Sequence, residues 1–174
     1  EKTKWYNHQY LQEKSEEELA VLFRDILKTE RPNILDNNDL KNITKIITLI
    51  KERATFVKEF WELGDYFFEA PNTYEQKVVK KQWKNDTPEI LNSLISVLDG
   101  IDDFSSENVE NIVKEWIAGE GLSFGKVMPP LRLVLVGDMK GPHVFDILGL
   151  IGKQEAIARI KNAITSLTEY FNEP

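Results

Sequence analysis

Few side chains of this chain could carry covalent chemistry. It contains no cysteine and only two histidines, His8 and His143, which excludes thiolate catalysis, disulfides and most structural zinc sites. No nucleophile stands beside a base, and no Gly-rich phosphate loop occurs. The adjacent carboxylates Asp102 and Asp103 follow Gly100, where a turn is far commoner than an acid–base pair. We therefore predict no catalytic residue and no metal site.

Cationic side chains offer a clearer route to a binding function. Lys77, Lys80, Lys81 and Lys84 recur at intervals of three and four, which places them on one face of a helix. Such a face can contact a phosphate backbone, although a solvated helix face has the same pattern and is the commoner explanation. The four lysines are therefore candidate contacts for a nucleic-acid backbone.

Two arginines lie among apolar residues. Arg132 interrupts the apolar run 131–136, where an unpaired guanidinium would be costly, so it needs a carboxylate, a carbonyl or a polar ligand. Structural and functional roles fit Arg132 equally well. Arg53 is predicted beside the apolar stripe of a helix, and because Glu52 adjoins it, a surface ion pair is its default interpretation.

The elements that would position these residues have helical spacing. Ser15 opens a capping box, followed by a helix whose apolar face includes Leu22 and which Pro32 ends. A longer helix is predicted from about 39 to 63, with Gly64 as its C-terminal stop. The four tryptophans lie among aliphatic residues and are predicted to be in the core: Trp5, Trp61, Trp83 and Trp116.

Residues 64–74 break the helical spacing and mark a junction between two helical domains, predicted at 1–65 and 66–174. The run 131–136 is short and rich in β-branched residues, but no partner strand occurs elsewhere, so we predict a buried helix. Pro142 is predicted in the first turn of the next helix. Further helices are predicted over 74–84, from a Thr87 N-cap to before Gly100, from Ser105 or Ser106 to Gly119, and from Lys153 onward. The predicted fold class is all-α.

Composition excludes several classes of protein. The 174 residues are 41% hydrophobic and 29% charged, as in ordinary globular proteins, and contain no apolar run long enough to span a membrane. The net charge of −7 argues against a protein that coats nucleic acid by electrostatics alone, but it permits a local basic patch. The first residues have no signal-peptide pattern and lack an initiating Met, so we expect a cytoplasmic chain cut from a longer protein.

Six short motifs share their order and spacing with one family. Each is weak alone, but together they cover nearly the whole chain. The chain resembles the carboxy-terminal anticodon-binding region of bacterial glutamyl-tRNA synthetases in Trp5-x-Asn7-x-x-Tyr10, Ile50-Lys51-Glu52-Arg53, Tyr66-Phe67-Phe68, Pro130-Leu131-Arg132, Gly141-Pro142-x-x-Phe145-Asp146 and Leu150-Ile151-Gly152-Lys153.

The resemblance implies that two helical subdomains recognise the anticodon stem–loop of a glutamate tRNA. It assigns Arg53 to the third anticodon nucleotide and Arg132 to a second anticodon contact. It places around the first two bases a segment that includes Lys140, Gly141, Pro142 and Val144. Neither ATP-binding signature of the family is present, so the chain is expected to be inactive alone and to need no cofactor.

The parent enzyme would carry an upstream catalytic domain and ligate glutamate to tRNA with ATP and magnesium, without contacting a membrane. The alternative is a helical protein-interaction module that binds no RNA.

Overall fold

The structure is a computed structural model that describes residues 2–172, with side chains described as far as residue 169. Every regular element in this range is helical, which confirms the predicted all-α fold. The chain packs as two compact units, the first ending at Glu69 and the second beginning at Ala70. The first unit thus keeps the short turn Asp65–Phe67, at whose start the predicted domain boundary lies.

The first unit is built on α2 packed against α3. It contains α1 (Lys2–Glu13), α2 (Glu16–Glu30), α3 (Leu40–Ile50), α4 (Glu59–Gly64) and 3-10 turns at Pro32–Asp36, Lys51–Arg53 and Asp65–Phe67. Phe23 and Phe60 are fully buried and meet edge to face, with ring centroids 5.6 Å apart. Ser15 forms the predicted capping box, since its hydroxyl accepts from the Glu18 amide while the Glu18 carboxylate accepts from the Ser15 amide.

The prediction of one helix over 39–63 is wrong. The α-helix ends at Ile50, a 3-10 turn follows, and Ala54 is extended at φ −93° and ψ 144°. The break persists because side chains replace the helical hydrogen bonds. The carboxylate of Glu59 accepts from the amides of Thr55 (2.7 Å) and Phe56 (3.2 Å), which fixes the start of α4.

Two predicted core residues of the first unit are on its surface. Trp5 is 58% exposed and Leu22 is 43% exposed, although both lie at apolar positions of their helices. Their neighbours on α2, Leu19 and Phe23, are completely buried. The apolar face of α2 is therefore wider than the surface that the first unit covers.

The second unit surrounds α8, which packs against α5, α6, α9 and α10. It contains α5 (Gln76–Gln82), α6 (Thr87–Asp99), α7 (Ser106–Gly119), α8 (Phe124–Val136), α9 (Val144–Ile151) and α10 (Lys153–Asn172). The buried helix predicted at 131–136 is confirmed, although it begins earlier, at Phe124. Arg159 of α10 is buried and donates to the Leu135 carbonyl at 2.8 Å and to the Glu155 carboxylate at 2.7 Å.

Several predicted details of the second unit are wrong. Pro142 lies before the N-cap His143 rather than inside α9. Thr87 does not cap α6 with its side chain, because its hydroxyl accepts from the backbone amide of Lys84. The helix predicted over 74–84 is shorter and leaves Lys84 beyond its end. The turn at Asp103 is confirmed, since its carboxylate accepts from the Ser105 amide.

Candidate nucleic-acid interface

Arg53 ends the 3-10 turn Lys51–Arg53, where its side chain is exposed. The other cation of the turn is directed into the first unit. Lys51 is half-buried, and its ammonium donates to the Lys14 carbonyl at 2.6 Å and to the Glu16 carboxylate at 3.3 Å. Hydrogen bonds from its own backbone amide and from Lys51 lower the pKa of Glu16. Lys51 therefore anchors the turn, and the guanidinium of Arg53 faces outward.

Helix α1 holds the backbone on both sides of Arg53. Gln12 Nε2 donates to the Lys51 carbonyl at 3.0 Å, and His8 Nδ1 donates to the Ala54 carbonyl at 2.9 Å. Ala54 itself is completely buried. His8 is thus a structural residue. Together with Gln12 it holds the backbone that positions Arg53, a role that the sequence did not predict for either residue.

The surface ion pair considered for Arg53 is not formed in the described structure. No ion pair among the described side chains includes Arg53, and the nearby Glu59 carboxylate accepts instead from two backbone amides. An exposed guanidinium on an anchored turn can donate to a ligand without first losing a carboxylate partner. A guanidinium only donates, so the complementary ligand presents acceptors.

Arg132 is half-buried on α8 and is not unpaired. Its Nη1 donates to the carbonyl oxygens of Lys140 at 2.9 Å and Pro142 at 2.8 Å. These bonds connect α8 to the loop between α8 and α9, residues 137–143, which we call the 137–143 loop. Arg132 therefore holds the 137–143 loop against α8.

Glycine is required where the 137–143 loop leaves α8. Gly137 has φ +86°, and its amide donates to the Leu133 carbonyl at 2.7 Å. A Cβ at this position would lie 2.6 Å from the Thr73 carbonyl oxygen and 2.9 Å from Pro71 Cβ. The Gly137 carbonyl also accepts from the Glu75 amide at 2.8 Å, which places the start of the 137–143 loop beside the residues before α5.

The predicted contacts around this loop differ in accessibility. Lys140 is exposed, and Gly141 (φ +99°) and Pro142 are half-exposed. Val144 is only 4% exposed, so the residue belongs to the core. Met139, an apolar residue of the same loop, is 42% exposed.

The four lysines are exposed, as their spacing predicts. Val79 and Trp83, both buried, anchor the opposite side of α5. Lys77, Lys80 and Lys81 lie on α5, and the ammonium of Lys84 is 3.5 Å from the Lys80 carbonyl. Because α5 begins next to the start of the 137–143 loop, the lysines and the loop belong to one region of the second unit.

Within residues 2–172, no three His, Asp or Glu side chains converge as metal ligands would. Nor does any helix in that range have the length and apolar character needed to cross a membrane.

A family model described as an anticodon binding domain matches residues 11–164, which include every arginine and lysine discussed above. The chain belongs to the anticodon binding domain family. The resemblance to glutamyl-tRNA synthetases is also confirmed. Glutamate–tRNA ligases of Flavobacterium johnsoniae and Flavobacterium psychrophilum are 50% and 52% identical over 96% of this chain.

Solved structures give the same result. A glutamate tRNA ligase from Elizabethkingia meningosepticum superposes with a TM-score of 0.86 at 40% identity over 94% of the chain. The glutamate-tRNA synthetase from Elizabethkingia anophelis superposes with a TM-score of 0.81 at 39% identity over 93% of the chain. This member of the family spans about a third of these proteins, covering 32% of each Flavobacterium ligase and 32% and 31% of the two solved chains.

Proposed function

We propose that this chain recognises the anticodon stem–loop of a glutamate tRNA as part of a glutamate–tRNA ligase. The match of the anticodon binding domain family over residues 11–164 carries the proposal. The first and second units, predicted from the sequence as 1–65 and 66–174, are then the two helical anticodon-binding subdomains.

Arg53 is suited to reading one base of a splayed anticodon. Sequence-specific proteins hydrogen-bond the Watson–Crick edges of unstacked bases in single-stranded loops. Cytosine presents two adjacent acceptors on that edge, N3 and O2, whereas guanine presents N–H donors there. The exposed, unengaged guanidinium of Arg53 therefore favours a cytosine at the third anticodon position.

In this proposal the 137–143 loop forms the second base-contacting surface. Arg132 acts mainly by holding the Lys140 and Pro142 carbonyls, and the exposed Lys140 and half-exposed Gly141 and Pro142 face the RNA. Val144 lies in the core directly after the loop, so in this proposal it makes no direct contact with the RNA. A loop that is ordered before binding loses less conformational entropy on binding than a flexible one.

The lysine face supplies contacts to the RNA backbone in the same proposal. Lys77, Lys80, Lys81 and Lys84 are exposed and grouped in a chain of net charge −7. Phosphate contacts position an RNA without reading its sequence, and their strength falls with salt. The acidic remainder of the surface discourages binding elsewhere.

The residues of this chain do not fit ATP or magnesium. The sequence has no phosphate-binding loop, and no metal-ligand cluster occurs in the described residues. We therefore assign the binding of ATP and magnesium, and the activation of glutamate, to further sequence of the kind that the relatives carry. We place that sequence upstream of this chain in the same enzyme. We expect that enzyme to be cytoplasmic.

The direct test is binding of labelled anticodon stem–loops to the complete protein, the natural polypeptide in which this chain occurs. We expect the glutamate anticodon to bind about tenfold or more tightly than a loop whose anticodon bases are replaced, since each good base contact contributes about 1–3 kcal/mol. Equal affinities would exclude anticodon reading. No RNA binding at all would support the alternative, a protein-interaction module.

A further inference from the structure

Arg159 is a buried cation of the second unit whose role the sequence did not predict. It lies on α10 and is only 3% exposed. Its Nε donates to the Glu155 carboxylate at 2.7 Å, and its Nη1 donates to the Leu135 carbonyl of α8 at 2.8 Å. Burying a guanidinium is costly unless it is paired and hydrogen-bonded. These two contacts therefore hold a charge inside the unit, against one particular carbonyl.

The Leu135 carbonyl belongs to the last turn of α8, where carbonyl groups lack partners within the helix. In a longer helix the Met139 amide would donate to it, but that amide donates instead to the Asp138 carboxylate at 2.6 Å. Arg159 supplies the missing donor, and its charge also interacts favourably with the dipole of α8. Arg159 thus holds α8 immediately before the 137–143 loop begins.

Arg159 is also near the segment that lies against the start of this loop. Burial raises the pKa of the Tyr74 hydroxyl, and the nearby charge of Arg159 opposes this rise. The next amide along the chain, that of Glu75, donates to the Gly137 carbonyl at 2.8 Å. The guanidinium of Arg159 therefore lies where α10, the end of α8 and the residues before α5 come together.

Arginines from two helices hold the backbone at the two ends of the 137–143 loop. Arg132 holds the far end through the Lys140 and Pro142 carbonyls, and Arg159 holds the turn of α8 that precedes the loop. Arg132 is half-buried beside the loop, whereas Arg159 is inside the unit and presents no surface to a ligand. An effect of Arg159 on ligand binding is therefore transmitted through the position of the loop.

We propose that Arg159 is a positioning residue for recognition of the first two anticodon bases. It holds the last turn of α8 so that the 137–143 loop presents its exposed part to these bases in one conformation. The inference rests on the proposed function, in which this loop contacts the first two bases and Arg53 contacts the third. Loss of Arg159 should therefore weaken recognition of the first two bases and spare recognition by Arg53, which belongs to the other unit.

Hydrogen exchange in the complete protein, without RNA, tests whether Arg159 holds the loop. Methionine keeps much of the length of arginine but has no donor, so Arg159→Met removes the bond to α8. We expect the hydrogen-bonded amides of Gly137 and Glu75 to exchange about tenfold or more faster in this variant, because a bond from a charged group is lost. The Leu122 amide, which is hydrogen-bonded just after α7, should keep its exchange rate.

Binding of stem–loops supplies a readout that a merely structural role would not change selectively. The wild-type and variant complete proteins are compared on stem–loops in which the first, second or third anticodon base is replaced. We expect Arg159→Met to reduce discrimination at the first two positions by about tenfold and to leave discrimination at the third unchanged. Arg159→Lys keeps the charge but loses the planar donor geometry. It should show a smaller loss with the same pattern, and it decides the question if Arg159→Met does not fold.

Leu94→Ala is the control for lost stability. Leu94 lies on α6, is completely buried in the same unit and takes no part in the hydrogen bonds of Arg159. Its replacement leaves a cavity and lowers the urea midpoint of the second unit. Discrimination at all three positions should nevertheless be unchanged under conditions in which the variant is folded.

Three outcomes would overturn the inference and leave the proposed function intact. These are unchanged exchange at Gly137 and Glu75, an equal loss of discrimination at all three positions, and a selective loss in Leu94→Ala as large as that in Arg159→Met. A wild-type protein that binds no stem–loop, or binds all of them equally, would instead overturn the proposed function and the inference together. The two failures are therefore distinguishable.

Discussion

Arg132 Nη1 lies 2.8 Å from the carbonyl oxygen of Pro142, ten positions further along the chain. The same nitrogen also donates to the Lys140 carbonyl at 2.9 Å. A side chain of α8 thus determines the path of the loop that follows α8. The resemblance assigns to Arg132 a direct contact with the anticodon, and this geometry shows in addition that Arg132 holds the 137–143 loop, for which we propose the same contact.

Arg132→Ala should weaken binding of the glutamate anticodon stem–loop by about tenfold or more, because a hydrogen bond from a charged group contributes about 1.5–3 kcal/mol. Arg132→Lys keeps the charge but not the planar donor geometry, so its affinity should be intermediate. Binding is measured by anisotropy, and hydrogen exchange of the Gly141 and His143 amides in the free protein reports loop order. Unchanged exchange together with a weaker affinity would assign Arg132 to direct contact.

Arg53→Gln should reduce discrimination between glutamate and glutamine tRNAs, which differ at the third anticodon nucleotide, C against G. Arginine opposite guanine leaves donors unpaired at a cost of about 1–3 kcal/mol, or roughly tenfold to a hundredfold, whereas glutamine can donate and accept. The measurement is the ratio of kcat/KM values for aminoacylation by the complete protein.

A suitable control for Arg53 is Arg31→Gln. Arg31 is another exposed arginine of the first unit, and its guanidinium stacks 4.0 Å from the Trp61 ring centroid. The Arg31→Gln variant should leave the ratio of kcat/KM values for the two tRNAs unchanged. If Arg53→Gln also leaves the ratio unchanged, Arg53 does not read the base.

We expect a variant with alanine at Lys77, Lys80, Lys81 and Lys84 to bind every stem–loop more weakly, and by the same factor. The slope of log affinity against log salt should become shallower by roughly 0.7–0.9 for each phosphate that the variant no longer neutralises. Lys161→Ala, an exposed lysine of α10, serves as the control. An unaltered salt slope in the quadruple variant would show that these lysines are only a solvated helix face.

Gly137→Ala should destabilise the second unit more than Gly121→Ala. Both glycines have positive φ, +86° and +63°, and a left-handed conformation costs alanine about 1–2 kcal/mol. Only Gly137 also has a carbonyl oxygen within 2.6 Å of the added Cβ, whereas no atom lies within 4 Å at Gly121. Urea unfolding of the two variants, compared with the wild type, measures the difference. Equal losses would mean that the Thr73 backbone moves aside freely.

The elements that could be predicted from the sequence are those whose signals act within one or two helical turns. The Ser15 capping box, the helix end at Gly119, the helix start at Lys153 and the apolar run 131–136 all predicted helices that the structure contains. The order and spacing of the motifs also predicted the family. Such signals depend on neighbours in the chain, so no knowledge of the packing is needed to interpret them.

The packing of the helices, which the sequence does not reveal, sets how the site residues are held and which apolar residues are covered. The partners of Arg132 lie in the loop that follows its helix, and His8 reaches the Ala54 carbonyl from another helix. Helical spacing places Leu22 on an apolar face in the same way as Leu19, yet only Leu19 is buried. Spacing determines which residues share a face, whereas burial depends on how far the neighbouring element extends over that face, which is a long-range property of the fold.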